Sequence, residues 1–428
     1  MDAYNLVSLA GLAAILGLAW ALSENRRVFN RRVVLGGVGI LLALGVFLFA
    51  TPVGREAFLT VNDLVLRVLD SAQAGSRFVL GRLALPPGTA DEQGQTSLGF
   101  ILVTQALPSI VFFSAAIGVL YYIGIMQRLI GIFALFFAKA LRLSGAEALC
   151  AASDIFVGIE ASLTVRPHLK TMTRSELNTV LTTGMASVSS NVMALYVFCL
   201  KDTFPTIAGH LASASLLAIP AALVVSKILV PETETPRTMG QAVAAAADAD
   251  QADNLFEAIL DGAMSGVKLI VGIVALLLAV VSLVALLNLV LSGIFGCTLQ
   301  GLLGYLFAPL TVAMGVPPVD AMEVSRLVGE RLVLTEVASY RDLTELMAGN
   351  ALQHPRSAVI AAYALCGFAH LPSMAIFVGG IAALAPERKS TLAALGPRAL
   401  LGATLATLIV GGIAGACFAG GETLLTGR

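Results

Sequence analysis

The chain has 428 residues, of which 57% are apolar and 12% charged, with 26 basic against 27 acidic side chains. So few charges exclude an ordinary soluble domain, where about a quarter of residues are charged. The near-neutral balance gives no basic surface for nucleic acid.

Residues 4–22 read as a first membrane span. An acidic residue precedes it and basic residues follow, the reverse of a cleaved signal peptide, so the helix is expected to stay. The next loop carries Arg26, Arg27, Arg31 and Arg32, which by the positive-inside rule puts it in the cytoplasm and the N-terminus outside. Residues 33–51 return across the membrane. Over 53–83, Arg55, Glu56, Asp63, Arg67, Asp70, Arg77 and Arg82 alternate with apolar residues, as in a helix lying in the interface. Pro86–Gln95 is a polar loop. Residues 98–124 form a third span, and 126–142, with Arg128, Lys139 and Arg142, a shorter amphipathic segment.

Residues 144–168 are too interrupted for one span and read as a re-entrant hairpin ending at Arg166-Pro167. A helix over 172–200 is dotted with Thr182, Thr183, Ser187, Ser189, Ser190 and Asn191, and 206–230 is a plain span. Pro231–Asn254, with its Ala/Asp run, reads as a linker dividing the chain. Residues 255–267 look amphipathic and 268–292 span. Residues 269–319 contain no Asp, Glu, Lys or Arg, far more than the roughly 20 residues that cross a bilayer. Residues 293–316 are a re-entry or surface helix. A second interrupted hairpin covers 318–347, a second polar-dotted helix 357–385, and a last span 399–419. Arg388, Lys389 and Arg398 put the preceding loop in the cytoplasm and the C-terminus outside.

The expected fold is all-α and polytopic, with about eight transmembrane helices, two re-entrant helical hairpins and interfacial helices. The order hairpin, dotted helix, plain helix occurs twice, as in an inverted-repeat transport core. Residues 1–125 then form an N-terminal scaffold, 126–230 a first repeat, 231–254 the linker, 255–317 a scaffold helix and connecting helix, and 318–428 a second repeat. Cys150, Cys199, Cys297, Cys366 and Cys417 all lie in apolar segments without a CxxC pair and read as packing residues.

Each half holds an acid in its broken stretch: Glu160 in Asp154-Ile155-Phe156-Val157-Gly158-Ile159-Glu160, and Glu336 in Leu334-Thr335-Glu336-Val337. A carboxylate at membrane depth is expensive and marks a polar cavity or ion path. One per half points to a transporter with a central site.

At these hairpins the chain resembles the concentrative nucleoside transporters over roughly residues 98–420. The resemblance rests on Met172-Thr173-Arg174-Ser175-Glu176-Leu177, Gly329–Tyr340, Ala361-Ala362-Tyr363-Ala364-Leu365-Cys366-Gly367-Phe368-Ala369 and Gly379-Gly380-Ile381-Ala382-Ala383-Leu384-Ala385-Pro386-Glu387-Arg388. It implies a homotrimer in the cytoplasmic (inner) membrane, with a scaffold holding the trimer and a mobile part carrying a nucleoside. Glu160, Ile159, Gly158, Glu336, Thr335, His370, Ser373 and Phe368 would then meet substrate. Asp154, Val157, Ser187 and Val188 would meet the coupling cation, sodium or proton, with no other cofactor. The family's first hairpin reads Asn-Ile-Phe-Val-Gly-Gln-Thr-Glu-Ala-Pro. Here Asp154 replaces the Asn, and the single Ile159 replaces the Gln-Thr pair that contacts the base. The family's Asn-Glu-Phe becomes Thr335-Glu336-Val337, and its ribose-contacting Asn becomes His370.

The residue chemistry leaves alternatives open. Glu336 can accept two hydrogen bonds from a vicinal diol, or pair with Arg331 or Arg326. Glu160 can bind base edges directly or through water, or pair with Arg166. Asp154 suits a small hard cation or a proton, or a helix cap. His370 can contact substrate with Ser373 three residues on, or be a satisfied core histidine. Pro372 is expected to interrupt the helix there. His168, His210 and His354 read as interfacial. Phe368 and Phe156, and less so Tyr363 and Phe377, can stack on a base or simply pack. An apolar Ile159 favours a purine nucleoside or another polyol-bearing solute over uridine. The competing classes are a membrane-embedded enzyme, for which no HExxH or GxSxG motif exists, and a ligand sensor, for which no soluble domain exists.

Overall fold

The computed structural model describes residues 2–90, 94–158, 160–241, 243 and 252–418. The described residues are helical throughout, apart from short turns and isolated bridges. In chain order, α1 (Ala3–Ala21) and α2 (Arg31–Ala50) form an antiparallel pair of spans, and α3 (Pro52–Leu80) follows as one 29-residue helix. Thr51 caps α3 by accepting from the Gly54 N–H, and Pro52 starts it where no N–H is needed. The expected third span is α4 (Leu102–Gln105) running into α5 (Pro108–Tyr122), and α6 (Ile125–Leu141) is the amphipathic segment.

The first hairpin is α7 (Gly145–Ser153) and α8 (Ala161–Thr164). The dotted helix after it is broken into α9 (Arg174–Ala186) and α10 (Ser190–Leu200), and α11 (Ile207–Leu229) is the plain span. The expected division between an amphipathic 255–267 and a span at 268–292 is not found. Both belong to α12 (Leu255–Phe295), a 41-residue helix with Asn254 capping the Glu257 N–H. It contains no proline and is rich in Leu and Ala, so the helix continues through the polar start despite Gly262 and Gly266. α13 (Leu299–Ala313) follows. The second hairpin is α14 (Pro318–Val333) and α15 (Glu336–Ala348); the second dotted helix is broken into α16 (Pro355–Leu365) and α17 (Leu371–Leu384); α18 (Lys389–Cys417) ends the described fold. Seven helical stretches are long and apolar enough to span a membrane, among the described residues, and α16–α17 adds a broken one. This is a multi-pass membrane protein.

Polar contacts sort the loops to two ends. At one end Glu24 pairs with Arg174 and Arg398, Lys170 with Glu387, and Arg388 with the Met172 carbonyl. At the other, Arg356 bonds Asn5 and the Gly415 carbonyl, while Asp320 accepts from the Gln353 and His354 N–H groups. The first end carries the basic loops, so the positive-inside rule makes it cytoplasmic. The Arg174 hydrogen bond, with Arg398 nearby, holds the Glu24 carboxyl below its ordinary range. This clip therefore acts at neutral pH and is lost as pH falls through that lowered value.

The same contacts orient the two halves. Hairpin α7–α8 is rooted at the basic end, where Ser144 bonds Glu176, and α9–α10 runs from that end to Lys201 beside Asp70. Hairpin α14–α15 is rooted at the opposite end, where Ser357 donates to Asp320 at 2.6 Å, and α16–α17 runs back to Glu387. The halves are inverted relative to each other, as the sequence pattern predicts.

His210 corrects one expectation. It is fully buried, not interfacial, packed against Phe49, Phe58 and Phe204 with Nδ1 3.2 Å from the Tyr363 hydroxyl. The apolar run around it continues through α11, which is almost wholly enclosed.

Lys227, near the end of α11, is buried with its Nζ 2.6 Å from Glu147 and 3.0 Å from Ser175. It joins the root of the first hairpin to α11. Lys227→Met strands the buried Glu147 charge and should cost about 3–5 kcal/mol. A melting temperature unchanged from wild type in detergent would refute this role.

Candidate functional site

The two broken helices meet at mid-depth. Ser187 and Ser189 are extended at the α9–α10 break, and residues 366–370 form the α16–α17 break. The Phe368 N–H donates to the Ser187 carbonyl at 3.2 Å. Gly367 permits this approach, since a Cβ there would lie 2.7 Å from the Ala186 oxygen. The carbonyls freed ahead of the second break are answered by side chains: Tyr340 donates to Ala362 at 2.7 Å and Arg331 to Ala364 at 2.7 Å. Buried backbone groups need such partners.

Glu336 opens α15 at the tip of the second hairpin, where the helix N-terminus favours negative charge. Tyr196 on α10 donates its hydroxyl to one carboxylate oxygen. The other lies 3.0 Å from His370 Nε2. The carboxylate and the imidazole thus form a close, buried pair. His370 is not inside a helix. It caps α17, with Nδ1 accepting from the Ser373 N–H at 3.0 Å. An Nδ1 that accepts leaves the proton on Nε2, facing Glu336. The Ser373 hydroxyl is committed to the His370 backbone, accepting at 3.1 Å and donating at 2.7 Å. Ser373 thus braces His370 rather than sharing its helical face. The Phe368 ring stands edge-on to His370 at 4.5 Å.

Among the described residues, neither alternative partner makes a hydrogen bond to Glu336, although Arg331 keeps Nε and Nη2 without a partner there. Arg331 bonds Ala364 and Thr407, and Arg326 pairs with Glu323 at 3.1 Å. Thr335 beside Glu336 is buried, and its hydroxyl has no partner among the described residues.

Asp154 ends α7 and is 1% exposed. It sits at the helix C-terminus, where a carboxylate caps nothing, which removes the capping alternative. Thr183 on α9 is in hydrogen-bonding reach, while Oδ2 has no partner among the described residues. Val157, Ser187 and Val188 are buried around the same junction of hairpin tip and break, and the Ser190 N–H donates to the Phe156 carbonyl.

Glu160 and Gly158 lie apart from Glu336. They line a cleft of about 250 Å³ with Val157, Ser189, Asn191 and Ser114. Glu336, Thr335, His370, Ser373 and Phe368 are not among its walls. Ile159 lies outside the described residues. Of the aromatic candidates, Phe156 lines this cleft, Tyr363 is occupied by His210, and Phe377 packs on Gly184. Sequence reading missed Tyr196; its signal is a phenol in an otherwise apolar half-helix, which needs a buried partner. It also missed Asn191, whose amide donates to Ser114 at 3.0 Å.

Inverted hairpins, paired broken helices and buried, unpaired polar atoms at their junction define a secondary transporter of the inverted-repeat class. Family models for the Na+ dependent nucleoside transporter N-terminus match residues 10–83 and the C-terminus residues 210–415, and a nucleoside recognition (Gate) model matches 103–203. The nucleoside permease NupC of Helicobacter pylori is 33% identical over 96% of this chain and 97% of its own length. CNTnw, solved in an inward-facing substrate-bound state, is 37% identical with a TM-score of 0.89, covering 97% of this chain and 98% of its own. A doubly substituted CNTnw in an outward-facing state gives a TM-score of 0.87 at 34% identity, with the same coverage of 97% and 98%. The chain belongs to the concentrative nucleoside transporter family. It is a transporter, not an enzyme.

Tyr196→Phe removes the donor to Glu336 while keeping the ring. It should weaken solute binding by about 1–3 kcal/mol, with little loss of fold stability. Unchanged affinity by calorimetry would show that Tyr196 is only a packing residue.

Proposed function

We propose that this protein carries nucleosides inward across the cytoplasmic membrane with a coupling cation, by alternating access. The observation that carries this reading is the set of buried polar groups at the hairpin tips and helix breaks: the Glu336–His370 pair, and Thr335 Oγ1 and Asp154 Oδ2, which have no partner among the described residues. Buried polar groups are costly without partners, so the site is built to receive a polar ligand. A ribose diol can donate to Glu336 and accept from His370, replacing their mutual contact. A base can extend past Phe368 towards Glu160, Ser189 and Asn191. The relatives named as nucleoside transporters, and a substrate-bound neighbour of the same fold, support the same reading.

In this reading residues 126–230 and 318–428 are the two transport repeats, and 1–125 with 255–317 the scaffold. Residues 231–254 link the halves. The chain assembles as a trimer through scaffold faces such as α12, where Leu278, Leu283 and Leu289 are more than 60% exposed. Sodium is the coupling ion named for the family models. Asp154 adds a second possibility, because a carboxylate neutralised by a proton meets the same charge requirement as one neutralised by sodium. The apolar Ile159 also favours a purine nucleoside, since it cannot satisfy the imide edge of uracil.

Uptake into proteoliposomes under imposed sodium or proton gradients tests the function; substrate conversion without accumulation would overturn it. Glu336→Gln should weaken nucleoside binding by about 1.5–3 kcal/mol, and normal affinity in a stable variant would contradict the diol contact. Asp154→Asn should abolish any proton-driven component and sharpen the sodium requirement. Superimposable pH and sodium curves would exclude Asp154 from coupling. Adenosine or inosine should be taken up better than uridine, and the reverse order would remove the role given to Ile159.

A further inference from the structure

A second cavity, of about 480 Å³, lies at the cytoplasmic end, far from the helix breaks in the sequence and outside the transport site. One wall is α6. The residues Gly131, Leu135, Ala138 and Arg142 recur at helical spacing along it, with Ala134 and Lys139 beside them. The opposite wall is the segment after α11, with Met239, Gly240, Gln241 and Val243. The floor is Leu143 and Gly145, where the first hairpin begins.

Three observations bear on what fills it. The outer face of α6 exposes Ile132, Leu135 and Phe136 at 65%, 48% and 47%, so the cavity opens beside membrane-facing apolar surface. Its polar end carries two cations, Lys139 and Arg142, neither of which has a carboxylate within 4.0 Å among the described residues. Arg32 adds a third positive charge, donating to the Lys139 and Ala140 carbonyls. Arg142 also holds a left-handed backbone, with φ 53° and ψ 47°, at the helix end where Gly is the unstrained choice. An arginine there costs about 1–2 kcal/mol, so the position keeps its charge against local preference.

We propose that this groove binds one anionic phospholipid of the inner leaflet. Its phosphate sits between Lys139 and Arg142, and the upper part of an acyl chain lies along Gly131, Leu135 and Ala138 against Met239 and Val243. An apolar groove with unpaired cations at the headgroup level has the charge pattern of such a lipid. The lipid bridges α6 to Met239, Gly240, Gln241 and Val243 and so braces the root of the first hairpin, whose α7 starts three residues after Arg142.

The test uses the full-length protein in detergent, with native mass spectrometry and thermal unfolding in the presence of phosphatidylglycerol, phosphatidylcholine or inorganic phosphate. Phosphatidylglycerol should be retained and should stabilise, and the other two should not. Lys139→Gln with Arg142→Gln should weaken phosphatidylglycerol retention by roughly tenfold or more, since each basic residue near an anionic headgroup contributes about 1 kcal/mol. Gly131→Leu keeps both cations but fills the groove; no atom lies within 4 Å of a Cβ built there, so the fold tolerates it. It should exclude the lipid. Equal retention in wild type and both variants overturns the proposal. Stabilisation by phosphate alone also overturns it, showing an ion site without a lipid chain. So does failure of the wild type to retain the lipid, the result expected if another part of the chain fills the groove.

Discussion

A helix cut inside a membrane must find partners for the backbone groups it frees, and this requirement organises the molecule. Two helices are cut at the same depth, and each cut supplies part of what the other lacks: Phe368 donates its N–H to the Ser187 carbonyl. The remaining carbonyls are met by Tyr340 and Arg331, both delivered by the second hairpin. Irregular backbone is tolerated at membrane depth only when enclosed in protein or facing a polar cavity. Two inverted hairpins are what enclose it here. Their tips arrive at the breaks from opposite ends and bring Asp154 and Glu336 with them.

The charge distribution follows from that arrangement. Buried charges away from the breaks find partners at the two ends of the molecule. Lys227 matches Glu147 at the cytoplasmic root of the first hairpin, and Arg356 is enclosed by Asn5, Ser8 and the Gly415 carbonyl at the other end. Glu336 combines a phenol contact on one oxygen with a histidine 3.0 Å from the other. A buried carboxylate–imidazole pair can open to a solute, because hydroxyl groups can both donate to the carboxylate and accept from the imidazole. Glu160, by contrast, is exposed in its cleft and makes a smaller demand on the fold.

Much of this was legible in the sequence, because the bilayer simplifies the reading. Hydropathy located the spans, and the interruptions at 144–168 and 318–347 located the hairpins. Pro372 signalled the second break, whereas the first, between Ala186 and Ser190, lies inside what reads as one helix over 172–200. The basic loops that the sequence assigns to one side do meet at one end, where Glu24 pairs with both Arg174 and Arg398. The sequence did not separate lone pairs from partners. Arg331, five residues from Glu336, is one of its two alternative partners by sequence, yet its Nη1 donates to the Ala364 carbonyl and Thr407, which come from distant segments. Tyr196 reaches Glu336 across 140 positions. His210 stood near a segment end but packs into an aromatic cluster assembled from three other helices and a loop. Ser373 looked like a binding group, but the cap geometry that consumes its hydroxyl is set by backbone angles at His370. These are tertiary facts that spacing does not encode.

The central claim is that the carboxylate of Glu336, with His370 opposite, receives the sugar of a nucleoside. A structure of the wild-type protein with adenosine in a lipid nanodisc tests it most directly. The claim requires the ribose hydroxyls about 2.6–3.2 Å from the Glu336 carboxylate and within hydrogen-bonding reach of His370 Nε2, with Tyr196 still bonded to the carboxylate. Adenosine bound only in the Glu160 cleft, with Glu336 and His370 still facing each other, would contradict it.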